Sequence, residues 1–143
     1  MSIGNRVFLE KDESAVKYLE EIKKYPTPNI ADCMKRFYTL PSEIKLMSSP
    51  KNNIFAGIAL TVKCPYGDNL MIHEALNIAK ENDVIIVSNE GGRNRALMGE
   101  IMIEHARSVC KTKGLILDSP IRDIDSVEKM DYPVYATDRK SVV

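Results

Sequence analysis

Two periods of apolar residues alternate along the chain. Residues 13–24 place Val16, Leu19 and Ile22 three apart, a narrow stripe that predicts a helix, and Glu20 with Lys24 adds an i,i+4 pair. Pro26-Thr27-Pro28 ends it. Asn29 can cap a second short helix through Phe37, with Ile30, Cys33, Met34 and Phe37 on its buried face. Residues 40–53, rich in Pro, Ser, Asn and Lys, read as a loop. From 56 to 63 the period changes to two: Ile58, Leu60 and Val62 share one face of a strand.

The same alternation of strand and helix then repeats. Asp68 or Asn69 caps a helix over 70–80 with Ile72, Leu76 and Ala79 inward. Val84-Ile85-Ile86-Val87 is a continuous apolar strand, the pattern of one buried on both faces. A polar loop (88–95) leads to a helix ending near Cys110, with Met98, Met102, Ala106 and Val109 on one side and Gly99 either inside it or at its mouth. Leu115-Ile116-Leu117 is a short strand, a helix starts near Asp125, and Tyr132–Ala136 is a closing strand. Strands alternating with helices predict a single α/β layered domain with a mostly parallel sheet flanked by helices.

Composition narrows the class. With 143 residues, 44% hydrophobic and 28% charged, the chain is one ordinary folded domain. Twenty basic residues balance twenty acidic ones, so no nucleic-acid partner is expected. No apolar run reaches membrane-spanning length and no signal-peptide segment follows Met1, so a cytoplasmic setting without a membrane is expected. Cys33, Cys64 and Cys110 form no metal or disulfide pattern and read as small buried hydrophobes.

Ligands of parallel α/β sheets gather at the carboxyl ends of strands. Two such ends are polar here. Loop 88–99 carries Gly91, Gly92 and Gly99 and feeds a helix N-terminus, where unpaired amides suit an anion; an ordinary flexible turn with a packing glycine fits the same residues. Loop 118–123 sets Arg122 beside Asp123, with Asp118 upstream. Arg can hold a carboxylate with its planar fork, and Asp offers a hard oxygen for Mg²⁺ or Mn²⁺; a surface ion pair with a capping Asp is the plainer alternative. His73 and His105 lie within predicted helices without metal-ligand spacing. No nucleotide-phosphate fingerprint occurs, which counts against a dinucleotide-binding domain.

Asn29-Ile30-Ala31-Asp32, Gly57-x-Ala59-x-Thr61-Val62, Asp83 to Val87, Gly92, Ala96-x-x-Gly99-Glu100 and Asp118-x-x-x-Arg122-Asp123 occur in this order. This pattern, from about Thr27 to Ala136, resembles the RraA-like family. That family includes the regulator of ribonuclease E activity and class II 4-hydroxy-4-methyl-2-oxoglutarate aldolases, and its members are often mislabelled demethylmenaquinone methyltransferases. The resemblance implies a swivelling β/β/α-like fold and a carbon–carbon lyase that is a metal-dependent aldolase or oxaloacetate decarboxylase. Such an enzyme releases pyruvate from 4-hydroxy-2-oxo acids through a metal-stabilised enolate, with Mg²⁺ or Mn²⁺ as cofactor. It implies catalytic roles for Arg122 and Asp123, with Asp123 on the metal. The substrate's pyruvyl part would meet Arg122 and the backbone amides of Gly99, Glu100, Ile101 and Met102. A homotrimer or hexamer is implied. The alternative within the family is a non-catalytic, protein-binding regulator of ribonuclease activity.

The chain departs from the family pattern at three places. Ser119 stands where the family has glycine after the aspartate. The Gly99–Arg122 interval is one residue longer, with the extra residue expected in Lys111-Thr112-Lys113. The family continues past Ala136 with further strands and an acidic residue offered to a neighbouring subunit, whereas this chain ends at Val143. A C-terminally truncated domain is therefore expected, with 138–143 a non-native tail and with sheet edges or an apolar face left uncovered.

Overall fold

The computed structural model describes residues 4–139. In chain order it holds a 3-10 turn at Val16–Tyr18, then α1 (Leu19–Ile22), α2 (Thr27–Cys33), β1 (Lys45–Leu46), β2 (Ile58–Lys63), α3 (Leu70–Ile78) and β3 (Asp83–Ser88). There follow α4 (Glu100–Ser108), β4 (Gly114–Asp118), β5 (Pro120–Ile121), α5 (Ile124–Val127), β6 (Val134–Ala136) and β7 (Asp138–Arg139). Five strands form one sheet in the order β1-β6-β4-β3-β2; β2, β3, β4 and β6 run parallel and only β1 is antiparallel. The expected α/β class with a mostly parallel sheet is what forms.

The apolar run of β3 lies between β2 and β4, and register explains its neighbours. Leu60 pairs with Ile85, Ile85 with Leu115 and Leu115 with Val134, so these side chains share one face. That face packs on Ile72 and Leu76 of α3, Ile103 and Ala106 of α4 and Val127 of α5. Each fully buried aliphatic side chain contributes about 1.5–3 kcal/mol, so this layer dominates stability. The opposite face carries Thr61, Ile86, Ile116 and Tyr135 in register and is only partly covered. Between it, the segment Val7–Lys11 and the loop Leu40–Ile44 runs a groove of about 970 Å³. The outer edge of β2 has no strand partner among the described residues. At the other end of the sheet Lys11 donates to the buried Asp83 carboxylate, which also accepts the Lys80 amide at 2.9 Å.

Several expectations for the first 55 residues need correction. The 13–24 stripe yields a 3-10 turn and a single α turn with no fully buried residue; Val16 and Leu19 are half-buried and Ile22 is exposed, too little packing to sustain a longer helix. Glu20 and Glu21 bond Lys23 and Lys24 at i,i+3, both at 2.6 Å, replacing the Glu20–Lys24 pair. The second helix starts at Thr27, with Pro28 in its first turn where its missing N–H costs nothing. Lys35 and Arg36 adopt left-handed φ of 55° and 61°, which ends it before Phe37. Cys33, Met34 and Phe37 are exposed, so the expected buried face does not form. Loop 40–53 contains β1. Later, Val109 is exposed and Ile103 takes the inward position assigned to it. Asp138–Arg139 of the expected tail pair with Pro120–Ile121; residues 140–143 lie outside the described residues.

Tyr132 seals the end of the helix layer. Its ring is 4% exposed and its hydroxyl meets Thr112 Oγ1 at 2.5 Å; Thr112 in turn donates to the Ala106 carbonyl at 3.0 Å. Burial pushes the phenol well above its ordinary pKa. A raised folded-state pKa means this contribution is complete below about pH 10 and is lost as pH rises toward the folded value. Tyr132→Phe is expected to cost about 1 kcal/mol at pH 8, and the gap to wild type is expected to narrow above pH 10 in urea unfolding. A gap independent of pH would refute burial of this hydroxyl.

Candidate functional site

Residues 97–98 run extended beside residues 120–122. The Leu97 amide donates to Pro120 O at 3.3 Å, Met98 bridges Ile121, and the Arg122 amide donates to Met98 O at 3.1 Å. This pairing brings loop 118–123 against the start of α4. Gly99 occupies the N-cap of α4, so it sits at the mouth of the helix and not inside it. Its φ is −130°, which any residue adopts; glycine is needed here for space. A Cβ at 99 would lie 2.3 Å from Asp123 Oδ2 and 2.7 Å from Arg122 Nε.

Asp123 Oδ2 accepts the Glu100 amide at 3.1 Å and lies 3.5 Å from Arg122 Nε. Asp123 itself is left-handed, with φ 59°, a conformation Asp tolerates better than most residues. Its carbonyl accepts the Ser126 and Val127 amides, both at 3.1 Å, so the same residue starts α5. Thus Gly99, Glu100, Arg122 and Asp123 are brought together. Ile101 and Met102 complete the first turn of α4, where amides lack intrahelical partners. Of the four amides expected to meet an anion, that of Glu100 is already engaged by Asp123. Arg122 and Asp123 side chains are 58% and 41% exposed, so their mutual pairing contributes little to stability and leaves both open to a ligand.

Two neutral side chains brace this region, and the motif reading passed over both roles. Asn89 is fully buried: its Oδ1 accepts the Gly67 amide at 3.1 Å and its Nδ2 donates to Gly92 O at 2.7 Å. It ties the loop after β2 to the loop after β3. Gly92 fits because a Cβ there would strike the Tyr66 ring at 2.4 Å. Asn69 Nδ2 donates to Leu97 O at 3.2 Å. The sequence signal for Asn69 was its place ahead of α3, which reads as a cap, and for Asn89 its place just after the apolar strand.

Other candidates fall elsewhere. Asp118 lines the groove on the open face of the sheet. His105 is in the last turn of α4, away from Gly99, and His73 is exposed on α3. Cys64 is buried, which pushes its thiol up, and Cys110 is half-buried. Ser119 is buried outside the left-handed region and donates to Pro120 O at 3.2 Å, so serine fits where glycine was expected. The Lys111–Lys113 loop lies at the opposite end of α4 from Gly99.

Among the described residues no group of three His, Cys, Asp or Glu side chains gathers around a cation. Asp123 offers a half-exposed carboxylate beside Gly99. One carboxylate suits Mg²⁺, which keeps most of its waters and needs few protein ligands. No helix among the described residues is long and apolar enough to cross a membrane.

A mostly parallel sheet whose carboxyl ends carry an Arg-Asp pair against a helix N-terminus is an α/β domain of the layered class expected. The family model described as RraA-like (Aldolase/RraA) matches residues 27–142, and the chain belongs to that family. A relative from Halalkalibacterium halodurans, provisionally named a 4-hydroxy-4-methyl-2-oxoglutarate aldolase, is 28% identical over 123 residues, which is 86% of this chain and 57% of the relative. The chain therefore spans little more than half of that relative's length. The solved RNA-processing inhibitor RraA from a Thermus species superposes with a TM-score of 0.69 at 21% identity, over 80% of this chain and 68% of that one. A Geobacillus kaustophilus structure named as an S-adenosylmethionine:2-dimethylmenaquinone methyltransferase gives 0.69 at 25% identity, over 82% and 71%. These likenesses agree with the fold and family that the ordered motifs predict.

The close approach at Gly99 is testable through stability. Gly99→Ala is expected to cost about 1–3 kcal/mol by overpacking, and much of that cost is expected to vanish in an Asp123→Gly background. Gly4→Ala, with nothing within 4 Å, serves as the neutral control. Chemical unfolding of wild type, the two single variants, the double variant and the control measures this; fully additive costs would mean the two residues do not touch.

Proposed function

We propose that this chain carries the pyruvate-binding part of a metal-assisted carbon–carbon lyase acting on small 2-oxo acids. The observation behind it is the convergence of Arg122, Asp123 and the first turn of α4 on Gly99. Arg122 would hold the pyruvyl carboxylate or keto oxygen with its fork. The α4 amides would take the carboxylate at the positive end of the helix dipole. Asp123 would hold a divalent cation largely through waters, and that cation, when bound, supplies the electrophilic pull on the 2-keto oxygen. The Glu100 side chain, an acidic group in the same turn, repels a bound anion, and the Arg122 charge offsets it.

Two reactions share this arrangement. In a 4-hydroxy-2-oxo acid the 4-hydroxyl gives up its proton to water, C4 becomes a carbonyl as the C3–C4 bond breaks, its electrons pass to C3 and the keto oxygen, and protonation of C3 by water gives pyruvate. In oxaloacetate the same bond breaks with loss of carbon dioxide, and a proton from water then completes pyruvate. Decarboxylation needs no base to begin, so it tests Arg122 and Asp123 without reference to any other acid or base. Naming these substrates follows the likeness to provisionally named aldolases. A homotrimer or hexamer belongs to the same proposal.

The decisive assay is pyruvate release from oxaloacetate by the protein expressed from its full open reading frame, measured above the rate of Mg²⁺ alone. Activity is expected with Mg²⁺ or Mn²⁺ and none in EDTA. Arg122→Ala and Asp123→Ala are each expected to lower it by about 10²-fold or more. Full turnover in chelator would sink the metal assignment, and full turnover in Arg122→Ala would sink the site.

A further inference from the structure

We propose that Asn69 is a positioning residue for the candidate site, holding the backbone that presents the α4 amides. The catalytic half of this inference rests on the function proposed above; the geometric half does not. Asn69 stands at the N-cap of α3 yet makes no capping bond with its side chain. The Leu70 amide is served instead by Asp68 Oδ1 at 2.7 Å. An Asn at this position ordinarily caps its own helix. Here its Nδ2 turns across to another element, donating to Leu97 O at 3.2 Å and lying 3.8 Å from Met102 Sδ.

Those two contacts bracket Gly99. Leu97 precedes it by two residues, and Met102 closes the first turn after it. Leu97 is held from its other side as well, since its amide donates to Pro120 O. Its side chain is 2% exposed. The segment entering α4 is therefore pinned between strand-like residues 120–122 and one side-chain amide. Asn69 thereby sets the height at which Gly99 meets Arg122 and Asp123. A bond to a buried carbonyl is costly to lose, because the carbonyl is left without a donor.

Asn69→Asp separates this role from capping. Aspartate caps a helix as well as asparagine does, but its carboxylate cannot donate to Leu97 O and repels it. Hydrogen exchange reads the result at amides bonded around Gly99, namely Leu97, Ile103 and Arg122, with Ile58 and Lys113 at the far end of the sheet as controls. Protection at the first three is expected to fall about tenfold in Asn69→Asp while the controls hold. Asn69→Ser, which also caps but is too short to reach across, is expected to do the same. In the oxaloacetate assay KM is expected to rise about tenfold with kcat within about twofold, the mark of lost ground-state binding. Unchanged protection at Leu97, Ile103 and Arg122 in both variants would overturn the proposal. Equal loss at the controls would overturn it too, since Asn69 would then be a general folding residue. Local loss of protection in a protein that never turns over oxaloacetate would uphold the positioning role and discard the lyase reading.

Discussion

The missing side chain at residue 99 lets the rest of the site exist. Without a Cβ there, the carboxylate of Asp123 reaches the first amide of α4, and the Arg122 guanidinium packs alongside. A Cβ there would overlap both side-chain groups, and at least one of them would have to move away. The left-handed turn at Asp123 is the second half of the same constraint, since it aims the carboxylate back at α4 while its carbonyl begins α5. One position thus joins the chain after β4 to the chain after β3, at the carboxyl end of a parallel sheet where ligands gather.

The two faces of the sheet divide stability from openness. Ile85, Leu115 and Val134, aligned by register with the half-buried Leu60, bury themselves under α3, α4 and α5. The other face presents Thr61, Ile86 and Ile116 to a groove of about 970 Å³. Size alone would place the chemistry in that groove. Its lining is largely apolar, however, and the Arg-Asp pair and the helix amides lie elsewhere. An exposed β2 edge and a half-covered face suit contact with more polypeptide better than turnover of a small polar acid.

How much of this could be read from the sequence depended on the range of the forces involved. The strand at 84–87 was plain because a central parallel strand is apolar throughout. Leu76 and Ile72 were plain because a helix over a sheet keeps a 3.6 period. Arg122 and Asp123 were visible as chemistry, but their meeting with Gly99 depends on the 97–98 and 120–122 pairing, which no local pattern encodes. The first helices failed for the opposite reason. Val16, Leu19 and Ile22 have helical spacing, but none of them is fully buried, and short helices with little tertiary packing are marginal. Phe37 and Met34 carry the same lesson: an apolar stripe predicts burial only where a partner exists.

The braces around the site are neutral, and that follows from what they surround. Asn89 and Asn69 each hold backbone groups of loops that carry the candidate chemistry. A charged side chain could serve only half of this bonding, a lysine by donating and an aspartate by accepting, and would add a permanent charge to these loops. In a partly desolvated setting such a charge would compete with an anionic ligand or with a cation over several ångströms. A side-chain amide donates and accepts without net charge, so it fixes geometry and leaves the local field to the Arg-Asp pair and the helix dipole. Rigidity and electrostatics at the mouth of α4 are thus supplied by different residues, and a substitution can disturb one while sparing the other.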